Sequence, residues 1–252
     1  MKEIEDIIRE KPHLADPFRF YEKTLEFIAS VNGTAASAGA DQGAYAREQA
    51  PVIFARFSAL LGLPEGVLTP LLQALEVGEI DFARLPHGEV PAFSLPYDED
   101  DLFMMLYLLS RPWFLALRGK TRLDERVWEE GRCPVCHARP AVTGATEAGR
   151  RTAFCSFCRT TGYAVSTGCP VCLSEDGSKQ SVFRFEGEDG FSILTCDHCR
   201  SYVKIIDAAM LSRWSAEIAD IASLPLDIRA QEKGYMRRAP NPIGIRKITT
   251  RG

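Results

Sequence analysis

The chain has 252 residues, 46% of them apolar and 25% charged, and carries a formal net charge of -4. Those proportions are ordinary for a folded globular protein and exclude a low-complexity or disordered chain. The slight acidity argues against a general nucleic-acid binder, which needs a basic face for phosphates.

From the amino end the pattern is helical. Residues 1–10 are charged, and no apolar run leads to a small-residue cleavage site, so no secretory signal is expected and a reducing, cytoplasmic setting follows. Ile4, Ile7 and Ile8 recur at helical spacing, as do Phe20, Leu25, Phe27, Ile28 and Val31. The glycine- and alanine-rich run 33–43 reads as a flexible connector. A helix over 45–61, broken or started afresh at Pro51, and another over 69–77 follow. Residues 86–96, with three prolines, read as a loop. The most apolar stretch, 102–117, contains Arg111 and Pro112 and is too short to span a bilayer. It reads as a buried helix, with Asp98 as amino cap and Glu99, Asp100 and Asp101 favoured in the first turn. A short helix over 123–130 completes a cysteine-free helical domain, 1–130.

All eight cysteines then fall into four Cys-x-x-Cys pairs: Cys133/Cys136, Cys155/Cys158, Cys169/Cys172 and Cys196/Cys199. Such a pair places two thiolates on one tetrahedral ion, so four pairs supply two four-cysteine sites. The segment repeats: Cys133-Pro134-Val135-Cys136 recurs as Cys169-Pro170-Val171-Cys172, and Phe154-Cys155-Ser156-Phe157-Cys158-Arg159 is echoed by Thr195-Cys196-Asp197-His198-Cys199-Arg200. The spacing predicts two consecutive zinc-ribbon modules, 131–166 and 167–207, with Cys133 to Cys158 serving one ion and Cys169 to Cys199 the other. Strand signals lie at 141–143, 151–154, 163–165, 181–185, 191–194 and 202–206. Residues 208–252 read as a helix over 210–222, a further stretch at 224–235, and a basic tail. From Arg229 onward seven basic residues meet only Glu232, a pattern that usually marks a solvated tail, with docking onto an acidic partner as the sharper alternative. The fold class is therefore α+β.

Between Cys133 and Cys199 six basic residues meet seven acidic ones, which disfavours phosphate binding. His137 and His198 adjoin ligands but are superfluous beside four cysteines per site, and His13 and His87 have no partner nearby in sequence. No nucleophile-base-acid signature or phosphate loop appears, so no enzyme is expected. Metal knuckles commonly place glycine after the second cysteine, where the backbone turns left-handed; here His137, Arg159, Leu173 and Arg200 stand there, at about 1 to 2 kcal/mol each.

The paired cysteines, the segment Cys196-Asp197-x-Cys199-x-Ser201-Tyr202-Val203-Lys204-Ile205, and the closing Leu226-Asp227-x-Arg229-Ala230-x-Glu232-x-Gly234-Tyr235 with Asn241-Pro242 resemble the formate dehydrogenase accessory proteins, the FdhE family. The resemblance runs from Cys133 to Pro242. It implies a cytoplasmic maturation factor, not itself a formate oxidiser, that acts on the catalytic subunit of formate dehydrogenase. It also implies rubredoxin-like modules holding two metal ions, iron with zinc as the alternative, on Cys133, Cys136, Cys155, Cys158, Cys169, Cys172, Cys196 and Cys199. Tyr202, Lys204, Asp227, Arg229, Glu232 and Tyr235 match the family pattern without an implied role. Two other readings stand beside it, a nucleic-acid-binding double zinc ribbon and a thiol-disulfide redox protein; oligomeric state is left open.

Overall fold

The computed structural model describes residues 2–38, 45–88, 97–122, 128–145, 151–164 and 167–248. Helices α1 (Lys2–Glu10) and α2 (Ala15–Ala38) flank a 3-10 turn at Pro12–Leu14. Helix α2 continues through 33–38, where a connector was expected. Three alanines there, the best helix formers, offset the roughly 1 kcal/mol cost of Gly33. The remainder of that connector, 39–44, lies outside the described residues. A π-helical turn at Tyr45–Gln49 leads into α3 (Ala50–Leu61), which starts with Pro51 in its first turn, followed by α4 (Thr69–Glu76) and a 3-10 helix at Phe82–His87. The expected proline loop begins inside that helix, and its residues 89–96 are not described.

Helix α5 (Glu99–Lys120) is the expected buried helix. Asp98 stands at its amino cap with extended backbone but makes no side-chain capping bond, and the three acidic residues occupy the first turn. Its core face includes Leu102, Phe103, Leu106, Tyr107, Leu109 and Phe114, and it carries a fully buried Arg111. No helix among the described residues is long and apolar enough to cross a membrane. Of the short helix expected at 123–130, residues 123–127 are undescribed and Glu129–Gly131 is a 3-10 turn, kinked at Glu130.

The strand signals form β1 (Val142–Ala145), β2 (Arg151–Phe154), β3 (Thr161–Ala164), β4 (Gln180–Phe183), β5 (Phe191–Cys196) and β6 (Ser201–Ile206). Each cysteine-bearing half is an antiparallel three-stranded ribbon, and the halves join edge to edge. β1 pairs in parallel with β6, in the register Val142↔Lys204 to Gly144↔Ile206, giving one sheet of order β3-β2-β1-β6-β5-β4. A two-residue strand β7 (Met236–Arg237) adds to β6 alongside Ser201 and Tyr202.

Beyond the sheet the expected single helix over 210–222 is two: α6 (Ala208–Arg213), capped by the Asp207 carboxylate, and α7 (Ala216–Ala222), capped by the Ser215 hydroxyl. Ser215 accepts from the Ile218 amide and so starts a second helix where the apolar period alone shows one. Helix α8 (Leu224–Glu232) follows. The basic segment is not a solvated tail over its described part. Arg237, Asn241 and Ile243 are buried, and Arg246 lies 3.5 Å above the Phe103 ring of α5.

Candidate metal centres

The four knuckles share one local geometry. The carbonyl of the first cysteine accepts from the amide four residues on: His137 to Cys133 (2.9 Å), Arg159 to Cys155 (3.1 Å) and Leu173 to Cys169 (2.9 Å). The amides of Cys133, Cys155 and Cys169 in turn donate to Ala138, Thr160 and Ser174, and Cys196 faces Ser201 in the β5–β6 register. Closing so tight a turn requires a left-handed residue after the second cysteine. His137, Arg159, Leu173 and Arg200 all have φ between 51° and 63°, as the knuckle pattern predicts, although none is glycine.

These turns bring the sulfurs into two groups, Cys133, Cys136, Cys155 and Cys158 in one and Cys169, Cys172, Cys196 and Cys199 in the other. Within each, all ligand atoms lie within 4.8 Å of one another, and all eight residues are free thiols. Across pairs the sulfurs are 3.5 Å (Cys133–Cys158) and 3.4 Å (Cys136–Cys155) apart in the first, and 3.8 Å (Cys169–Cys199 and Cys172–Cys196) in the second. A tetrahedron with metal–sulfur bonds of about 2.3 Å has edges of about 3.8 Å. Each group could hold one metal ion, and a soft four-thiolate donor set suits zinc and iron alike.

Crowding splits the thiols. In the first group hydrogen bonding from Cys136 and Cys155 pulls Cys133 down, while burial pushes Cys136 and Cys155 far up. In the second, hydrogen bonding from Cys169 lowers Cys199 to about 4, and its counterpart from Cys199 raises Cys169. Four thiolates this close need a cation before all can ionise.

The groups differ in setting. All four sulfurs of the first belong to buried residues continuous with the helical core. Tyr107 of α5 donates to the Ser156 carbonyl inside the second knuckle, and Phe157 packs edge-on against Tyr107 and Phe114 at 5.0 and 5.1 Å. Arg159 reaches Glu217 of α7, which also meets Tyr21 of α2 and the buried Arg111. Burial alone would raise the Glu217 carboxyl, but Arg111 and then Arg159 outweigh it and hold it at about 2. In the second group Cys172 and Cys199 are only half-buried, and the Arg200 of its last knuckle stacks on Tyr235 at 4.5 Å and pairs with Asp197.

Between the sheet and the carboxy-terminal helices lies a fully buried charge network. Lys204 bonds Asp227 at 2.7 Å and Asp220 at 2.5 Å; Arg237 bonds Asp227 at 2.8 Å and also Asp220; Tyr202 donates to Asp227 at 2.6 Å. Two cations and two carboxylates balance.

The profile of the FdhE C-terminal domain matches residues 169–243. A curated protein FdhE homolog from Aquifex aeolicus (strain VF5) is 32% identical over 146 residues, 56% of this chain and 51% of that one. Over that part the chain is similar to FdhE. Protein FdhE of Escherichia coli O1:K1 / APEC is 32% identical over 115 residues, 44% of this chain and 37% of its own length, so the matched part spans about half of these relatives or less. The crystal structure of the FdhE protein from Pseudomonas aeruginosa shares the fold, with a TM-score of 0.64 at 18% identity, covering 96% of this chain and 94% of that one. The α+β architecture read from the sequence is thus that of an FdhE structure.

The matched FdhE segment contains the second sulfur group and the whole buried network. Tyr202, Lys204 and Asp227, family-pattern positions without an implied role, are therefore parts of one internal ion cluster. Sequence reasoning missed their partners Asp220 and Arg237, and also Glu217. A lysine inside the apolar strand Tyr202-Val203-Lys204-Ile205-Ile206, and an arginine inside the apolar α5, were the signals available, since a buried charge demands a partner. His87, which has no partner nearby in sequence, lies 3.1 Å from the guanidinium of the distant Arg132 through Nδ1.

Proposed function

We propose that the chain is a cytoplasmic maturation factor that docks on the catalytic subunit of formate dehydrogenase and is not itself an enzyme. It holds two metal ions, one on Cys133, Cys136, Cys155 and Cys158 and one on Cys169, Cys172, Cys196 and Cys199. The observation that carries the reading is the conjunction of two four-cysteine sulfur clusters with a match to the FdhE C-terminal domain. Iron is the metal proposed, with zinc as the alternative; iron would add one-electron redox capacity, whereas zinc would serve structure only. The chain's own residues hold and orient the thiolates through the knuckle amides, and the α5 packing closes the first site to water.

Elemental analysis with a visible spectrum of freshly purified protein tests the metal. Two iron ions with thiolate charge-transfer bands support the reading, and colourless protein with two zinc ions replaces iron by its alternative. Metal-free folded protein overturns both. Native co-purification with a formate dehydrogenase catalytic subunit tests the client, and failure to capture it when it is present removes that part.

A further inference from the structure

A cleft of about 880 Å³ opens beside the second sulfur group, walled by the 3-10 helix at Phe82–His87, the first knuckle, α8, β7 and the segment after Ile245. The half-buried Cys172 and Cys199 form part of its wall. Among the described residues Arg132, Arg139, Arg238, Arg246 and Lys247 line it against two carboxylates, Asp100 and Glu232. A sixth cation, Arg237, is already balanced inside the buried network. On a chain of net charge -4, this is a local concentration of positive charge that overall composition does not explain.

The arginines are positioned by neutral acceptors. Arg132 bonds His87 and the His137 carbonyl; Arg139 bonds the Glu130 and Gly131 carbonyls; Arg238 bonds Ser201 and the Cys199 carbonyl; Arg246 bonds the Gly88 carbonyl. Among the described residues none of the four has a carboxylate within 4 Å, and Lys247 reaches Asp100 only at 3.9 Å. Guanidinium forks held in place without a carboxylate in ion-pair contact are suited to carboxylates or phosphates; Asp100 and Glu99 act on Arg246 only from farther off, and the sulfurs of the second group act on Arg139. Two features disfavour a nucleotide. The nearby aromatic faces are taken, Tyr235 by Arg200 and Phe103 by Arg246, leaving little platform for a base. The cations also come from three separate segments: Arg132 and Arg139 beside the first knuckle, Arg238 after β7, and Arg246 and Lys247 beyond it.

We propose that this cleft is the docking groove for an extended acidic peptide segment of a partner protein, which it lays across the accessible side of the second sulfur group. The proposal deepens the client-docking reading and rests on it. The test uses the full chain with metal bound and a short fluorescein-labelled peptide rich in Asp and Glu, with its Asn/Gln counterpart as control. The acidic peptide should bind and the control should not, with affinity falling as salt rises. The double variant Arg238→Glu/Lys247→Glu, at two exposed positions, should weaken binding by about tenfold or more at low salt when compared at equal metal loading, since Arg238 also bonds the Cys199 carbonyl; Lys247→Glu alone, which touches no knuckle, should weaken it by a smaller factor with metal content and thermal unfolding unchanged. Absence of binding, or equal binding by the double variant, overturns the groove. Competition by inorganic pyrophosphate at lower concentration than the peptide overturns it in favour of a phosphate site. Equal capture of the formate dehydrogenase catalytic subunit by both chains would overturn the groove while the client reading stands; peptide binding without capture of that subunit supports the groove and removes that client.

Discussion

Arg159 grips Glu217 with both sides of its guanidinium, Nε to Oε1 at 3.0 Å and Nη2 to Oε2 at 2.7 Å. The left-handed residue that closes a sulfur knuckle is thereby tied to α7, and through Glu217 to Arg111 and Tyr21 in the helical region.

Replacing His137 and Arg159 by glycine separates backbone strain from side-chain work. Both residues have φ 59°, and His137 is exposed. His137→Gly should be neutral or stabilising by up to about 1 kcal/mol, since relief of the left-handed penalty is partly offset by the unfolded-chain entropy that glycine adds. Arg159→Gly should destabilise despite the same relief, because Glu217 loses a bidentate partner. Urea midpoints at neutral pH compare the two.

Glu217→Ala would leave Arg111 buried without its carboxylate, at a cost of about 3 to 5 kcal/mol. Acid acts on the same link. The folded carboxyl titrates at about 2 against an ordinary 4.5, so its contribution is complete above 4.5 and is lost as pH falls toward about 2. The full amount is on the order of 3 kcal/mol. Denaturation of the wild type and Glu217→Gln across that window measures it as the difference between the two curves, cancelling acid effects on the thiols.

In the Lys204 network, single and double substitutions should be strongly non-additive. Lys204→Met leaves Asp220 and Asp227 sharing Arg237 alone, and about 3 to 5 kcal/mol should be lost. Adding Asp227→Asn restores charge balance and should recover part of that loss. A double-mutant cycle by chemical denaturation reads the coupling.

The two proposed metal sites should differ in lability. A chelator should strip the second site first, because Cys172 and Cys199 are half-buried while all four sulfurs of the first are enclosed. Loss of the first ion should then unfold the helical region together with its ribbon, since Phe157 packs into α5. Time-resolved metal release followed alongside far-UV circular dichroism would show a silent first phase and a structural second one.

The knuckles were legible because everything that forms them is local. Cys-x-x-Cys fixes the turn, the turn demands a left-handed residue, and the residues at those positions adopt it whatever their side chains. The buried α5 was equally plain from its apolar run. What joins the pieces was not. The parallel β1–β6 pairing has no periodicity to betray it, the partners of Lys204 and Arg111 lie in distant segments, and the basic residues after Arg229 look solvated until Asp220, Asp227 and the Phe103 ring are seen to receive them. Charge pattern alone does not separate a free cation from one buried against a remote carboxylate.

The β1–β6 seam also sets an order of events. Val142 must wait for Lys204 before its outer edge is paired, so the ribbon made first during synthesis is completed by the last strand of the ribbon made second. Until then β1 presents open backbone to whatever is near, and the long stretch of chain between the partners makes the closure a late, slow step in folding.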